Sequence, residues 1–124
     1  MKKITILLFA FILVSCFQSP ERNCKDFKTG KFRFETTVKG KKQVTEFERN
    51  DSIETATYNG KTEISSVRWV NDCEYIVKNL HPKNMEEHKA VDIKILTTSK
   101  NSYTFEYGIV GSAKTAVGTA TKIE

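Results

Sequence analysis

Alternation with a period of two is the feature that most constrains this chain. From Lys31 onward, Phe32, Phe34, Thr36 and Val38 trade places with Lys31, Arg33, Glu35, Thr37 and Lys39. Successive side chains of a strand point to opposite faces, so this run reads as a half-buried strand. Val44 to Arg49 reads as a second strand, with Val44 and Phe47 on opposite phases and a bulge or twist expected between them. Ser52–Tyr58 and Lys61–Val70 flank Asn59-Gly60, a pair that accepts the two positive φ angles of a type I′ turn, and are expected to form a hairpin. Ile64 opposes the phase of Val67 and Trp69, which predicts a bulge near Ser65-Ser66. Cys73–Leu80, Ala90–Thr98, Ser102–Val110 and Lys114–Ile123 complete the strand pattern. Residues 81–89 interrupt it, and Pro82 forbids a central strand there. No stretch carries a helical period of useful length.

Eight short strands joined mostly by tight turns describe an all-β antiparallel meander over residues 31–124. Sequential hairpins leave two open edges unless the first and last strands meet, so closure into a small barrel is the economical arrangement. A strongly curved open sheet and a two-sheet sandwich are the alternatives. Gly118, among small residues of the last strand, suits the close approach that closure requires. Gly30-Lys31-Phe32, a Gly-x-aromatic at the head of the first strand, resembles the opening of lipocalin-like barrels.

Ahead of the domain, Lys2 and Lys3 precede an eleven-residue apolar run, Ile4 to Val14, too short to span a bilayer. Leu13-Val14-Ser15-Cys16 closes that run and resembles the bacterial lipobox, whose cysteine receives a diacylglyceryl group and becomes the new N-terminus after cleavage. The resemblance implies a signal peptide over residues 1–15, a lipid anchor at Cys16, and a lipidated N-terminus and tether over residues 16–30. The part of the tether before Cys24 is polar, contains Pro20 and is expected to be flexible. Phe17 follows the cysteine where an inner-membrane retention signal would place Asp, so the expected location is the outer membrane, facing the periplasm.

Cleavage would leave 109 of the 124 residues, one domain's worth. The 20 basic residues fall to 18 when Lys2 and Lys3 are removed, against 15 acidic, a net charge of +3. Charge spread this thinly favours solubility and is not the clustered basic face of a nucleic-acid binder. With Cys16 assigned to lipid, Cys24 and Cys73 remain as a pair in an oxidising compartment, either bridged or as two buried thiols. No CxxC or Cys/His zinc spacing is present.

Most of the mature chain carries a further resemblance. Cys24-Lys25-Asp26-Phe27-Lys28-Thr29-Gly30-Lys31-Phe32, Arg49-Asn50-Asp51-Ser52-Ile53 and Trp69-Val70-Asn71-Asp72-Cys73-Glu74-Tyr75 resemble short Bacteroidota-type envelope lipoproteins of unassigned function. Some proteins similar to that group carry the name DNA topoisomerase IV. The residues argue against that chemistry: an exported chain of this length cannot hold an ATPase site, a Mg²⁺-binding acidic cluster and a DNA gate.

Chemistry-bearing constellations are sparse. His81, Glu87 and His88 share one loop and could ligate a divalent metal or serve a metal-dependent hydrolase, but their spacing pre-orders nothing, and they read more simply as solvated loop residues. No G-x-S-x-G or paired acid and base is present. Phe32, Phe34, Trp69, Tyr75, Tyr103, Phe105 and Tyr107 are expected to face one interior, as the lining of an apolar ligand pocket or as a filled core, the latter favoured in so small a domain. The expected function is therefore non-enzymatic: a membrane-anchored interaction or structural module without cofactor, docking on another envelope protein. A carrier or sensor for a small apolar ligand is the alternative, and nucleic acid is not an expected partner.

Overall fold

A computed structural model describes residues 22–124. The leader, Cys16 and the first part of the tether lie outside the described residues. A single 3-10 turn, η1 (Cys24–Phe27), leads into eight strands: β1 (Gly30–Val38), β2 (Lys41–Arg49), β3 (Ile53–Tyr58), β4 (Lys61–Asn71), β5 (Glu74–Asn79), β6 (Val91–Thr98), β7 (Ser102–Ile109) and β8 (Ala116–Lys122). Each pairs antiparallel with the next, and β1 meets β8, so the sheet closes into a barrel in simple sequence order. Of the three architectures that the alternation allows, the barrel is the one adopted.

Closure rests on a short seam. Phe32, Arg33 and Phe34 pair with Lys122, Thr121 and Ala120, and just past β8 Lys31 N donates to Glu124 O at 3.0 Å while Ile123 N donates to Lys31 O at 2.8 Å. Gly118 sits just above the seam, where an added Cβ would fall 2.4 Å from a Phe34 ring carbon. The glycine is what lets β8 lie against that ring. The hairpin tips follow turn chemistry: Asn59 (φ 48°) and Gly60 (φ 72°) supply two positive φ angles, and so do Lys39 (φ 51°) and Gly40 (φ 74°).

Three details differ from the sequence reading. β2 runs in unbroken register, with Val44 outward and Phe47 inward, so their opposite phases reflect two faces and no bulge. Ser65-Ser66 is likewise regular, and the irregularities fall between Trp69 and Asn71 and between Ile95 and Thr97. Residues 24–29, assigned from sequence to the end of the tether, contribute buried Cys24 and Phe27 to the core. Two core side chains therefore lie ahead of β1.

Because hairpins alternate ends, the turns sort into two sets. The β2–β3, β4–β5 and β6–β7 turns, η1 and the chain's last residues lie at one end. The β1–β2, β3–β4 and β7–β8 turns and the long β5–β6 loop lie at the other. The first end is plugged: Cys24 bonds Cys73 in the β4–β5 turn, and Asn23 N donates to Thr98 Oγ1 at 2.9 Å. The core of Cys24, Phe27, Phe32, Ile95, Tyr103, Phe105 and Ala120 gathers there.

Candidate functional site

At the plugged end the interior is organised around a charge. Arg49, last residue of β2, shares the inward phase of Phe47 and is 1 % exposed. Burying a guanidinium is costly unless every donor is paired. Its five N–H groups meet five acceptors. Nε donates to Lys28 O (3.1 Å), Nη1 to Glu54 Oε1 (3.1 Å) and Tyr75 Oη (2.8 Å), and Nη2 to Phe27 O and Tyr103 Oη (3.4 Å). Two of those acceptors are backbone carbonyls at η1 and its exit, so the arginine ties the plug to the strands. Aromatic rings enclose the rest: the guanidinium carbon lies 4.7 Å from the Phe32 centroid and 4.6 Å from that of Tyr75. Phe47 and Trp69 stand farther out, each at 5.6 Å.

The electrostatics follow from this enclosure. Burial works against the Arg49 charge, yet Tyr75, Tyr103 and Glu54 outweigh it and hold the group above its already high ordinary value. Burial pushes the Glu54 carboxyl up, with Arg49 pulling it back by less. Burial likewise drives the Tyr75 phenol well above its usual range. With all five donors engaged by the protein, Arg49 has nothing left with which to recruit an anion. The cage is a structural centre.

The seven aromatic residues that the sequence places in one interior do share it. Phe32, Tyr75, Tyr103 and Phe105 are buried, while Phe34, Trp69 and Tyr107 are half-buried against them. Neighbouring rings are in contact, with centroids 4.5 Å apart for Trp69 and Tyr75, 5.3 Å for Phe34 and Phe105, and 5.8 Å for Phe32 and Tyr103. Phe32, Trp69, Tyr75, Tyr103 and Phe105 fill the plugged half, and Phe34 and Tyr107 pack on Phe105 from the mouth side.

Toward the other end the interior changes character. Along the inward phase of β2, burial falls from Arg49 through half-buried Phe47, Thr45 and Gln43 to exposed Lys41. On β4 it falls from Val67 through Ser65 to exposed Glu63 and Lys61. On β7 it falls from Tyr103 and Phe105 to half-buried Tyr107 and Ile109. Inward residues gain exposure only where the interior meets water, so this end is a mouth. Its lining is polar on β2 and β4 and apolar on β6 and β7. At the rim, a pocket of about 290 Å³ is lined by residues that include Tyr58, Lys61, Glu63, Ile64, His81 and Lys83.

No protein-family model, curated protein or solved structure matches the chain. The site must be read from its own geometry. His81 and Glu87 both border the rim pocket, and one Glu87 oxygen accepts the Lys83 backbone N–H at 2.5 Å. His88 is exposed on the same loop. Among the described residues, no three of His, Cys, Asp and Glu come together as a metal-holding group.

Sequence reasoning missed Arg49 and η1. The signal for Arg49 was present, since it lies two residues from Phe47 on one strand, but an inward charge beside a turn reads as surface until a plug covers it. The η1 turn is four residues long and leaves no periodicity to detect.

Proposed function

We propose that this chain is a lipid-anchored, non-enzymatic docking module of the bacterial envelope, held at the outer membrane through Cys16. The observation that carries the reading is the filled half-barrel. Rings packed on rings and a fully satisfied Arg49 leave the interior of the plugged end little free chemistry, the buried Trp69 Nε1 being a donor without a partner among the described residues, so recognition falls mainly to the mouth and the outer surface. The lipobox resemblance of Leu13-Val14-Ser15-Cys16 supports the anchor. Native mass spectrometry of the lipidated protein from its own membranes tests the proposal: a second protein retained at fixed stoichiometry is expected. A bare lipidated chain, or a reproducible small-molecule adduct in place of a protein, would overturn it.

The open mouth favours one second reading, a carrier for a small apolar ligand. Half-buried Phe34, Ile93 and Tyr107 form an apolar shelf above the core on which such a ligand could rest. This reading expects a ligand-dependent shift of Trp69 fluorescence that disappears in Tyr107→Ala. Tyr103 and Phe105 suit the test less well, because both are core residues whose truncation would also cost stability.

A further inference from the structure

The two ends of the barrel differ in how many of their cations are engaged, although Lys100 has no ion pair at the plugged end among the described residues and Lys42 and Lys89 are paired at the mouth. At the plugged end Lys28 and Lys25 pair with Asp72 at 3.0 and 3.9 Å, and Lys31 pairs with Glu124 at 3.2 Å. Lys122 donates to Asp26 O at 2.8 Å and Arg22 to Ile95 O at 3.0 Å. At the mouth, Lys39 and Lys41, Lys61, Lys83 and Lys114 place at least one lysine on each of the four connections. All five are exposed, and none has an ion-pair partner among the described residues. Of the nearby acids, Glu35 is engaged by Lys42 and Arg33, Glu86 by Lys89 and Glu87 by the Lys83 amide, while Glu63 borders the rim pocket with Lys61 and Lys83 and has no ion pair among the described residues. Exposed apolar side chains stand among the lysines: Tyr58, Ile64, Leu80, Val110 and Met85, the last 78 % exposed.

We infer that the mouth rim is a docking surface for an acidic protein partner that stands off the anchoring membrane. Unpaired lysines on every mouth connection call for negative charge, and the interleaved Tyr58 and Met85 are of the residue types enriched at protein interfaces. Geometry excludes the chain's own bilayer. From Cys16 to Arg22 the tether has six residue steps and spans at most roughly 21 Å when fully extended. It enters at the plugged end, pinned by Arg22, Asn23 and the Cys24–Cys73 bond. Nine residues of β2 at about 3.3 Å rise and about 40° tilt make a barrel roughly 23 Å tall, before the mouth loops are added. A mouth-down pose asks more of the tether than its full extension, so the mouth does not lie flat on the lipid that holds the chain.

The inference rests on the docking reading above for its membrane geometry but not for its charge chemistry, and the test separates the two. The full chain is isolated from membranes, its Cys16 lipidation is read by mass, and it is reconstituted in neutral phosphatidylcholine vesicles. The probe is a fluorescein-labelled peptide of Glu-Glu-Leu-Tyr repeats, followed by anisotropy. Binding is expected to weaken with added salt, to fall at least tenfold in Lys61→Glu/Lys83→Glu, and to stay unchanged in Lys100→Glu, a plugged-end control. Thermal unfolding of each variant confirms that the barrel is intact. Absence of binding, or equal loss in Lys100→Glu, overturns the inference. Tighter binding of a dextran sulfate oligosaccharide reassigns the rim to a glycan, and recruitment of added phosphatidylglycerol vesicles reassigns it to lipid; either overturns the protein partner. An unlipidated Cys16 would defeat the anchoring proposal alone, because the peptide arm is then read on the same chain in solution.

Discussion

The plugged end and the mouth are built from the same strands, yet they handle charge and aromatic surface in opposite ways. At the plug, Arg49 donates five times to protein acceptors, the neighbouring lysines lie against carboxylates or carbonyls, and rings bury one another. At the mouth, lysines and apolar side chains stand together facing water. A domain of about a hundred residues has little apolar area to bury, so its stability must be concentrated. Concentrating it at the plug frees the mouth from structural duty, and residues there can be chosen for contact.

Breaking the plug should therefore have the largest effects. Arg49→Leu leaves Glu54, two phenols and two carbonyls without their donor, and is expected to cost about 3–5 kcal/mol in urea unfolding. Arg49→Leu/Glu54→Leu should regain part of that loss, because the stranded carboxylate goes too. A single-variant cost below about 1 kcal/mol would show that Arg49 is not the anchor of the plug. Next comes the Cys24–Cys73 bond, whose partners are 49 residues apart in sequence. In the chain-entropy model it contributes about 4 kcal/mol, an upper figure. Cys24→Ser/Cys73→Ser should lower the melting temperature and also raise amide exchange of residues 24–29 above that of β7. Uniform exchange across both segments would mean that Arg49 alone holds η1 in place.

The boundary between the two halves can be probed at Gly118. Phe34 roofs the filled region there, and a methyl group would meet its ring at 2.4 Å and the Phe105 ring at 3.0 Å. Gly118→Ala is expected to cost about 1–3 kcal/mol through displacement of Phe34. Removing the obstructing ring at the same time, in Gly118→Ala/Phe34→Leu, should recover part of the loss. A neutral Gly118→Ala would indicate that the core roof yields freely and that the half-barrels differ less than their packing implies.

Strand number, hairpin order and inward aromatics were legible in the sequence because each follows from a local rule: alternation, turn residues or proline. Asn59-Gly60 shows this best, its two positive φ angles being written in the residue pair itself. What was not legible depends on contacts distant in sequence. The inward burial of Arg49 requires carbonyls at residues 27 and 28 and a phenol at residue 103. The opposed phases of Val44 and Phe47 looked like a bulge only because Val44 is apolar on the outer face, and outer faces tolerate scattered apolar residues. The mouth was harder still. Its lysines lie far apart in the chain, and only barrel closure with alternating turns brings them to one end.

The smallest expected effect lies beside the disulfide and sharpens the comparison within the plug. Two carboxylates of the β4–β5 hairpin are pushed in opposite directions. The hydrogen bond from Lys28 holds Asp72 below its ordinary range, with Lys25 adding a weaker attraction. The neighbouring Asp92 carboxyl raises Glu74, as a group that would share its proton and then as a like charge, helped by partial burial, with Lys94 opposing. Asp92 Oδ1 is buried without a donor among the described residues, and a proton kept on Glu74 would supply one. The signs follow by linkage. The Asp72 contribution is present above the unfolded-state value and disappears as pH falls through its lowered folded value. That of Glu74 is full below its unfolded-state value and disappears as pH rises through its raised folded value. Both side chains lie near water, so each effect is small. Carboxyl-carbon NMR titration should find Asp72 below about 3.9 and Glu74 above about 4.3, the ordinary values. Asp92→Asn should move Glu74 back toward that ordinary value while leaving Asp72 in place. If Glu74 stays raised in Asp92→Asn, the shared proton is refuted and partial burial alone accounts for the shift.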